Sequence, residues 1–449
     1  MHMRRIFFLG LDSAPPKIIY ENYGVELNNI REIVEESERY LLRTCYPPIT
    51  IPAWMVMFTG RSPGELGIYG FRHRKVGEIE GDYIVNSSHV IYPTLWEILS
   101  KKGYNVGVVG VPPTYPPKPL KGFMISDFTT PGPEKNYTWP PWLKKEIEGI
   151  FGQYIFDITY RSEDKDGVAR DIFNMIDQHL ELTKYLVGKK IWDLFVYVEI
   201  AVDRVHHAFW KYFDKDHPRY TQHEKYEKVI PEFYKRLDNW ILEIKNMLPR
   251  DTIIIMASDH GIKPMKGAFV VNQWLQDQGY LKIKEKIEKA GVDIKPSMID
   301  WNSTIAWAWG GYYSRIFINL KNREPYGIVK EEEYEDVIKQ LKADLLKIKG
   351  PNGEKWDNIV HTPREIYDKI TGDPPDLMVY LDNLSWRPAG TIGWNSLYLP
   401  ENDRGPDDAE HDWHGVFLIH DPEETIEKSF KGEIRIESVY QKLLEITCF

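Results

Sequence analysis

Several acidic and imidazole side chains of this sequence stand beside short apolar runs. The runs and their polar neighbours are Ile6–Leu11 with Asp12, Leu194–Ile200 with Asp203 and His207, Ile253–Ala257 with Asp259 and His260, and Val416–Ile419 with His411. One such residue after a strand is unremarkable, and Asp12 alone fits a turn cap equally well. Several Asp and His side chains at equivalent strand ends instead form the pattern of a divalent metal site.

The spacing within two of these groups bears on whether their members could share an ion. Asp203 and His207 are four residues apart, so a helix would place both on one face. Asp259 and His260 are adjacent and would point to opposite faces of a regular strand. Both can reach one ion only if the strand has ended, and Gly261 predicts a turn there. Taken alone, either group also fits a solvated helix face or an ordinary turn.

A threonine at a predicted helix start is the candidate nucleophile. Pro52 fits the first turn of a helix that covers Ala53–Thr59 and stops at Gly60, which places Thr50 at the helix N-terminus. That end favours anions through its free N–H groups and its dipole. A coordinating divalent metal can activate a threonine hydroxyl. The segment alone fits a simple N-cap, but beside the metal-type clusters it favours a nucleophile.

The elements that must position these residues alternate between strands and helices. Besides the runs above, Val106–Val111 and Leu377–Leu381 have the short, β-branched, continuous pattern of strands covered on both faces. Amphipathic stretches at Tyr92–Lys102, Arg170–Val187 and His223–Leu248 predict helices. The alternation predicts an α/β fold with a parallel sheet between helices, which collects ligands at the carboxyl ends of its strands.

The stretch from 263 to 375 has a different composition. It contains a predicted helix at Val271–Gln278, a charged helix at Glu331–Ile348 and a strand at Arg315–Leu320. We therefore predict a catalytic α/β core formed by residues 1–262 and 376–449, with 263–375 as an inserted smaller α+β subdomain.

Charge and composition exclude some classes of protein. The formal net charge of the 449 residues is -10, which argues against stable nucleic-acid binding because that requires a positive face. No stretch approaches the roughly 20 apolar residues of a membrane span, so no membrane partner and a cytoplasmic location are predicted. Two distant cysteines, Cys45 and Cys448, predict reduced thiols. The sequence carries no signal for an oligomeric state.

Five segments, in this order along the chain, together resemble the type I phosphodiesterase/nucleotide pyrophosphatase family of the alkaline phosphatase superfamily. They are GLDSAPP (10–16), PPITIPAWMVMFTGRSPGELGIYG (47–70), DRVHHAFW (203–210), SDHGI (258–262) and EHDWHGVFLI (410–419). The resemblance implies an alkaline-phosphatase-like three-layer α/β/α sandwich with a mostly parallel central sheet.

The resemblance also implies two divalent metal ions, with zinc expected and manganese or another divalent ion as an alternative. The implied ligand sets are Asp203, His207 and His411 for one ion, and Asp12, Thr50, Asp259 and His260 for the other. His411 is preferred to His414 because the family's late histidine stands four residues before a glycine, as His411 does before Gly415.

The implied reaction is hydrolysis of phosphodiester or pyrophosphate bonds in small, nucleotide-type phosphoesters through a phosphothreonine at Thr50. A phosphomonoesterase, phosphonate hydrolase or phosphotransferase/mutase of the same superfamily stays open, as does an inactive metal-binding scaffold. Sulfatase activity is disfavoured. The sulfatase branch typically carries Cys or Ser followed by x-Pro-x-Arg, whereas this sequence has Thr50 followed by Ile-Pro-Ala-Trp.

The sequence departs from the family beyond the nucleophile helix. Many members carry an Asn there that binds a phosphoryl oxygen, but the matching context contains Phe71, followed by Arg72 and Arg74. A guanidinium binds phosphate oxygens bidentately, so either arginine could replace the Asn, although both also fit surface charges. Aromatic residues such as Trp307 and Tyr312 could stack on a base, but packing of the insertion's own core is the simpler interpretation.

Overall fold

The structure is a computed structural model that describes residues 4–78, 80–423 and 425–447. Of the two cysteines, Cys45 is buried as a free thiol, and Cys448 lies outside the described residues. Within the described chain, a nine-stranded sheet forms the centre of the fold. From one edge to the other its strands are Phe430–Arg435, Ser37–Arg43, His414–His420, Ile253–Ala257, Ile6–Leu11, Leu194–Glu199, Val106–Val109, Gly122–Ile125 and Thr138–Trp139.

The middle of this sheet is parallel. The parallel neighbours, in spatial order, are Ile253–Ala257, Ile6–Leu11, Leu194–Glu199, Val106–Val109 and Gly122–Ile125. Their nearly continuous apolar sequences fit burial on both faces. The strand His414–His420 is also in this sheet but runs antiparallel to both of its neighbours.

Successive residues of the central strand Ile6–Leu11 contribute to two separate cores. Phe7 and Leu9 belong to one apolar cluster, and Ile6 and Phe8 belong to the other, as the alternation of side chains along a strand requires. The first cluster is covered by the helices Pro16–Ile19, Asn28–Glu35, Leu143–Phe151, Lys165–Lys189, Ala201–Phe213 and Val229–Met247. The second is covered by the helices Thr50–Thr59, Pro63–Leu66, Leu95–Lys101 and Ile436–Ile446. The predicted three-layer α/β/α sandwich with a mostly parallel sheet is confirmed.

Residues 267–399, called the accessory segment below, form sheets of their own. Its strands are Gly267–Val270, Val292–Asp293, Ala306–Trp309, Ser314–Ile318, Ile359–His361, Leu377–Tyr380, Trp386–Ala389, Thr391–Ile392 and Tyr398–Leu399, and its helices are Val271–Asp277, Tyr334–Leu346 and Pro363–Ile366. The described strands of this segment pair only with one another, and they enclose a separate apolar cluster.

One predicted strand lies in a different sheet from the one expected. Leu377–Tyr380 pairs antiparallel with Ser314–Ile318 and Ile359–His361 in the accessory segment, although the sequence placed it in the core. Its apolar run looks like a core strand because it is also covered on both faces. The division into a core and an insertion stays a prediction. The pairing of Leu377–Tyr380 favours an insertion that ends later in the chain than residue 375.

Two further two-stranded sheets complete the described strands. They are formed by Arg72–Arg74 with Asp82–Ile84 and by Gly261–Pro264 with Ala409–Asp412. The second of these pairs carries His411 to the end of the central sheet. Among the described residues, no helix combines the length and apolarity needed to cross a membrane.

Candidate metal centre

The acidic residues predicted from strand ends meet at the carboxyl edge of the sheet. Asp12 directly follows the strand Ile6–Leu11, and Asp259 comes two residues after its parallel neighbour Ile253–Ala257. Asp203 lies in the first turn of the helix Ala201–Phe213, which follows the parallel neighbour on the other side. Since the carboxyl ends of parallel strands lie side by side, the three carboxylates converge. All three are buried.

Two histidines join these carboxylates in two overlapping groups. Asp12, Asp259 and His260 form one group, and Asp203, His260 and His411 form the other, with the ligand-type atoms of each group within 4.8 Å of one another. The imidazole rings of His260 and His411 stack with centroids 3.8 Å apart. His260 therefore lies between the two groups.

Each carboxylate of the cluster has one oxygen held by the protein and one that is not. Trp54 Nε1 donates to Asp12 Oδ2 at 2.9 Å, the backbone N–H of Ser13 donates to Asp259 Oδ1 at 3.2 Å, and Arg204 Nη1 donates to Asp203 Oδ2 at 2.6 Å. The remaining oxygens, Asp12 Oδ1, Asp259 Oδ2 and Asp203 Oδ1, are buried without a hydrogen-bond partner.

Each of the three histidine rings likewise has one nitrogen atom, Nδ1, held by a protein oxygen. His411 Nδ1 is 2.6 Å from the Pro48 carbonyl, and His260 Nδ1 is 2.9 Å from the Gly261 carbonyl. His207 Nδ1 is 2.7 Å from Asp407 Oδ1. Each Nδ1–H thus has an acceptor, which fixes the tautomer and leaves Nε2 available to an ion, an arrangement typical of metal-binding histidines.

His207 lies at the edge of the cluster and outside the two groups. Its Nε2 is 3.2 Å from Asp203 Oδ1 without a hydrogen bond between the two atoms. The Tyr312 hydroxyl is 3.4 Å from the same nitrogen. His260 also lies beside Asp203, and the implied division of the ligands between two ions stays a prediction.

The two late histidines lie in different surroundings. His411 Nε2 is 3.9 Å from Asp203 Oδ1, inside the cluster. The side chain of His414 is 41% exposed and pairs with Glu433 at 2.8 Å. The two residues belong to different strands, Ala409–Asp412 and His414–His420, which lie in different sheets.

Thr50 lies within a segment that contacts the cluster on both sides. Pro48 accepts from His411, and Trp54 donates to Asp12. The helix begins at Thr50, three residues earlier than predicted, and ends at Gly60 with φ 65°. Ile49 occupies the N-cap, so the simple N-cap role considered for Thr50 is wrong. Thr50 is the first helical residue, in the turn whose N–H groups lack helical acceptors.

Burial and crowding of charge perturb the acidic residues of the site. Burial, together with the negative charge of Asp203, raises the pKa of Asp12, and burial with the charge of Asp12 raises the pKa of Asp259. Burial also lowers the pKa of His260 to about 4. A divalent cation between these groups would favour their deprotonated forms. The chemistry of the donor set therefore fits metal ions.

The two arginines proposed for substrate binding have partners elsewhere. Arg74 is buried and forms a two-pronged ion pair with Glu324, with one contact at 3.0 Å. Arg72 is 55% exposed and pairs with Asp82 at 2.5 Å. The guanidinium of Arg74 is engaged with Glu324, whereas Arg72 lines the rim of a cavity beside the cluster. Their role in substrate binding stays a prediction.

Sequence reasoning missed several residues that surround the cluster. Asp407, buried and bound to His207, is only four residues before His411 but resembles any loop aspartate. Tyr312 stacks on His411 with ring centroids 3.8 Å apart, whereas Trp307 packs against the accessory core as expected for an aromatic of that segment. No local pattern distinguishes Tyr312 from Trp307, because its position depends on how the accessory segment meets the core.

The α/β/α sandwich, with Asp and His clustered at the carboxyl edge of its sheet, is the alkaline-phosphatase-like fold. The type I phosphodiesterase/nucleotide pyrophosphatase profile matches residues 6–407. The chain therefore belongs to that family. The family indicates a phosphoester hydrolase.

Solved structures with this fold share little sequence with the chain. Human ectonucleotide pyrophosphatase/phosphodiesterase 5 is 14% identical, with 99% of this chain and 95% of that chain covered and a TM-score of 0.59. An inactive murine counterpart was solved with AMP; it is 13% identical over 99% and 95% of the two chains, with a TM-score of 0.54. Phosphonoacetate hydrolase from Sinorhizobium meliloti 1021, in complex with phosphonoacetate, is 12% identical over 100% and 96%, with a TM-score of 0.61. No curated protein matches by sequence.

Proposed function

We propose that the chain is a metal-dependent phosphohydrolase that cleaves phosphodiester or pyrophosphate bonds of small, nucleotide-type substrates through a covalent intermediate on Thr50. The observation that carries the proposal is the set of buried ligand atoms without partners: three carboxylate oxygens and His260 Nε2. Leaving such atoms buried and unpaired costs free energy. Divalent cations among them would recover that cost.

The residues that would hold two divalent ions, which we propose to be zinc, are Asp12, Thr50, Asp203, His207, Asp259, His260 and His411. Asp, His and a hydroxyl are a suitable donor set for zinc, and manganese is the alternative. When bound, such ions supply Lewis-acid chemistry, lowering the pKa of a hydroxyl and neutralising charge on oxygens of the reacting phosphoryl group.

The protein's own contribution begins with the placement of Thr50. Deprotonated Thr50 Oγ1 attacks phosphorus in line, the bond from phosphorus to the leaving oxygen breaks, the leaving alcohol or phosphate departs, and a phosphothreonine forms that still carries the substrate's remaining ester or phosphoester group. The phosphoryl group then lies at the start of the helix Thr50–Thr59, where unpaired N–H groups and the helix dipole favour an anion. Water next attacks phosphorus from the opposite side and Thr50 departs. Two inversions give net retention.

A comparison of three substrates by the metal-reconstituted protein tests this proposal. We expect a higher kcat/KM for bis(p-nitrophenyl) phosphate than for p-nitrophenyl phosphate, and no release of phosphate from phosphonoacetate. Preference for the monoester would indicate a phosphomonoesterase, and preference for phosphonoacetate a phosphonate hydrolase. Absence of all turnover in protein shown to contain metal would support the inactive scaffold.

A further inference from the structure

A cavity of about 370 Å³ opens beside the candidate metal centre. Ile49, which precedes Thr50, lines it, as does Arg204, which donates to Asp203. Tyr312 also lines it, and its ring separates the cavity from His411. A substrate whose phosphorus meets Thr50 would extend into this space.

The wall of this cavity is rich in arginine. Five arginines line it against a single carboxylate, Asp157; they are Arg72, Arg161, Arg204, Arg315 and Arg387. Three of them have carboxylate partners within hydrogen-bond distance. Arg72 pairs with Asp82, Arg161 with Asp407, and Arg204 with Asp157.

The other two guanidinium groups lack such a partner. Arg387 is buried, its Nη1 has no hydrogen bond, and that atom is 3.7 Å from Asp407 Oδ2, too far to donate to it. Arg315 Nε is also buried without a hydrogen-bond partner, and no ion pair of Arg315 with a carboxylate occurs among the described residues. Its Nη1 donates to the Arg72 carbonyl.

Both guanidinium groups lie against aromatic rings. The Arg387 guanidinium carbon lies 4.4 Å from the centroid of Tyr312, the same ring that stacks on His411. The Arg315 guanidinium carbon lies 5.0 Å from the centroid of Trp309. Stacking fixes the plane of a guanidinium and leaves its edge for a bidentate anion, the geometry that suits carboxylates and phosphates.

We propose that Arg315 and Arg387 bind a second anionic group of the substrate, a carboxylate or a phosphate, in the cavity that the Tyr312 ring separates from His411. This inference rests on the proposed function, since it places the reacting phosphorus at the metal centre. It narrows the substrate class to phosphoesters or pyrophosphates that carry a further negative charge, and it excludes simple diesters of neutral alcohols as the preferred substrates.

Calorimetric binding to the zinc-reconstituted Thr50→Ala chain tests the proposal without turnover. The probes are orthophosphate, phosphonoacetate and imidodiphosphate, which carry one phosphoryl group alone, a phosphoryl group with a carboxylate, and two phosphoryl groups. We expect at least one of the two-group probes to bind about tenfold or more tightly than orthophosphate, as a charge-assisted bidentate contact would give. Whichever probe shows the gain identifies the second anion as carboxylate or phosphate.

Arg387→Gln and Arg315→Gln, each added to Thr50→Ala, test whether the tighter binding of the two-group probes depends on the cavity. We expect either change to remove most of the preference and leave orthophosphate affinity within about threefold, because neither guanidinium contacts a candidate metal ligand. Arg315 is only half-buried, so its variant remains informative if Arg387→Gln fails to fold. Arg364→Gln is the matched control, since this accessory-segment arginine is 82% exposed and outside the cavity. Binding of imidodiphosphate to this control variant also shows whether that probe removes zinc from the protein.

Equal affinities for all three probes would overturn the proposal, as would a preference that persists in both variants. Either result would leave the proposed hydrolase function intact, because that function is judged by turnover. Conversely, an inactive wild-type protein that still shows the arginine-dependent preference would retain the anion site while refuting the hydrolase.

Discussion

The contrast between His411 and His414 gives the sharpest mutational prediction. The perturbation is His411→Ala, with His414→Ala as the matched change three residues away on the same segment. His411 is 1% exposed, its Nδ1 is anchored by the Pro48 carbonyl at 2.6 Å, and its Nε2 faces Asp203 at 3.9 Å. We expect His411→Ala to remove a metal ligand, whereas His414→Ala removes only an exposed ion pair with Glu433.

The expected magnitudes follow from those surroundings. Changes to the partners of metal ligands cost roughly 10–100-fold in metal affinity or activity, so loss of a ligand should exceed about 100-fold in kcat/KM. An exposed ion pair contributes at most about 1 kcal/mol, equivalent to about fivefold in rate even if all of it acted on the transition state. The two variants should therefore differ by more than about 20-fold, the ratio of those two limits.

The assay combines metal analysis with kinetics on a diester. Each variant is reloaded with zinc, desalted and measured for zinc per chain and for hydrolysis of bis(p-nitrophenyl) phosphate, with thermal melting to verify that it is folded. We expect fewer ions per chain and a large loss of activity for His411→Ala only. A larger loss for His414→Ala, or full zinc content and activity in a folded His411→Ala, would refute the placement of His411 at the metal centre.

Three other predictions follow from the same structure. Asp407→Asn should lower kcat/KM by roughly 10–100-fold, because Asp407 orients His207, and should also lower the Tm, because it removes a buried charge that pairs with Arg161; unchanged kcat/KM in the folded variant would contradict the orienting role. Purified, reloaded protein should contain two divalent ions per chain and lose activity with a chelator, and a metal content of zero in folded protein would contradict the site. Burial raises the pKa of Asp421, but the hydrogen bond and ion pair with Arg4 outweigh it and lower this pKa from 3.8 to about 2. The Asp421 carboxylate should therefore stabilise the fold by about 2 kcal/mol above pH 4. The Tm difference between wild type and Asp421→Asn should shrink as the pH falls from 5 to 2.

The sequence predicted those parts of the site that depend on local order along the chain. Asp12 and Asp259 could be found because each follows an apolar run, and parallel strands bring such ends together. The ion pair of Arg74 could not be predicted, because its partner Glu324 is 250 residues away and only tertiary packing brings them together. Arg387 and Tyr312 carry no local signal for the same reason.

The fold shows the same limit. The parallel centre of the sheet could be predicted because its strands are continuous apolar runs separated by amphipathic helices. Leu377–Tyr380 has an equally apolar sequence but pairs within the accessory segment. An apolar run reports burial on both faces and not the sheet in which the strand lies, so its partners could not be read from the sequence.

The central claim is that Thr50 becomes covalently phosphorylated, and one acid-quench experiment tests it most directly. Zinc-loaded protein is mixed with bis(p-nitrophenyl) phosphate, quenched in acid during turnover, digested and analysed by mass spectrometry, with folded, zinc-loaded Thr50→Ala as the control. We expect a phosphoryl ester on the peptide that contains Thr50 in the wild type, and loss of nearly all turnover in the variant. Near-normal hydrolysis by Thr50→Ala would contradict the covalent mechanism and leave direct attack by water.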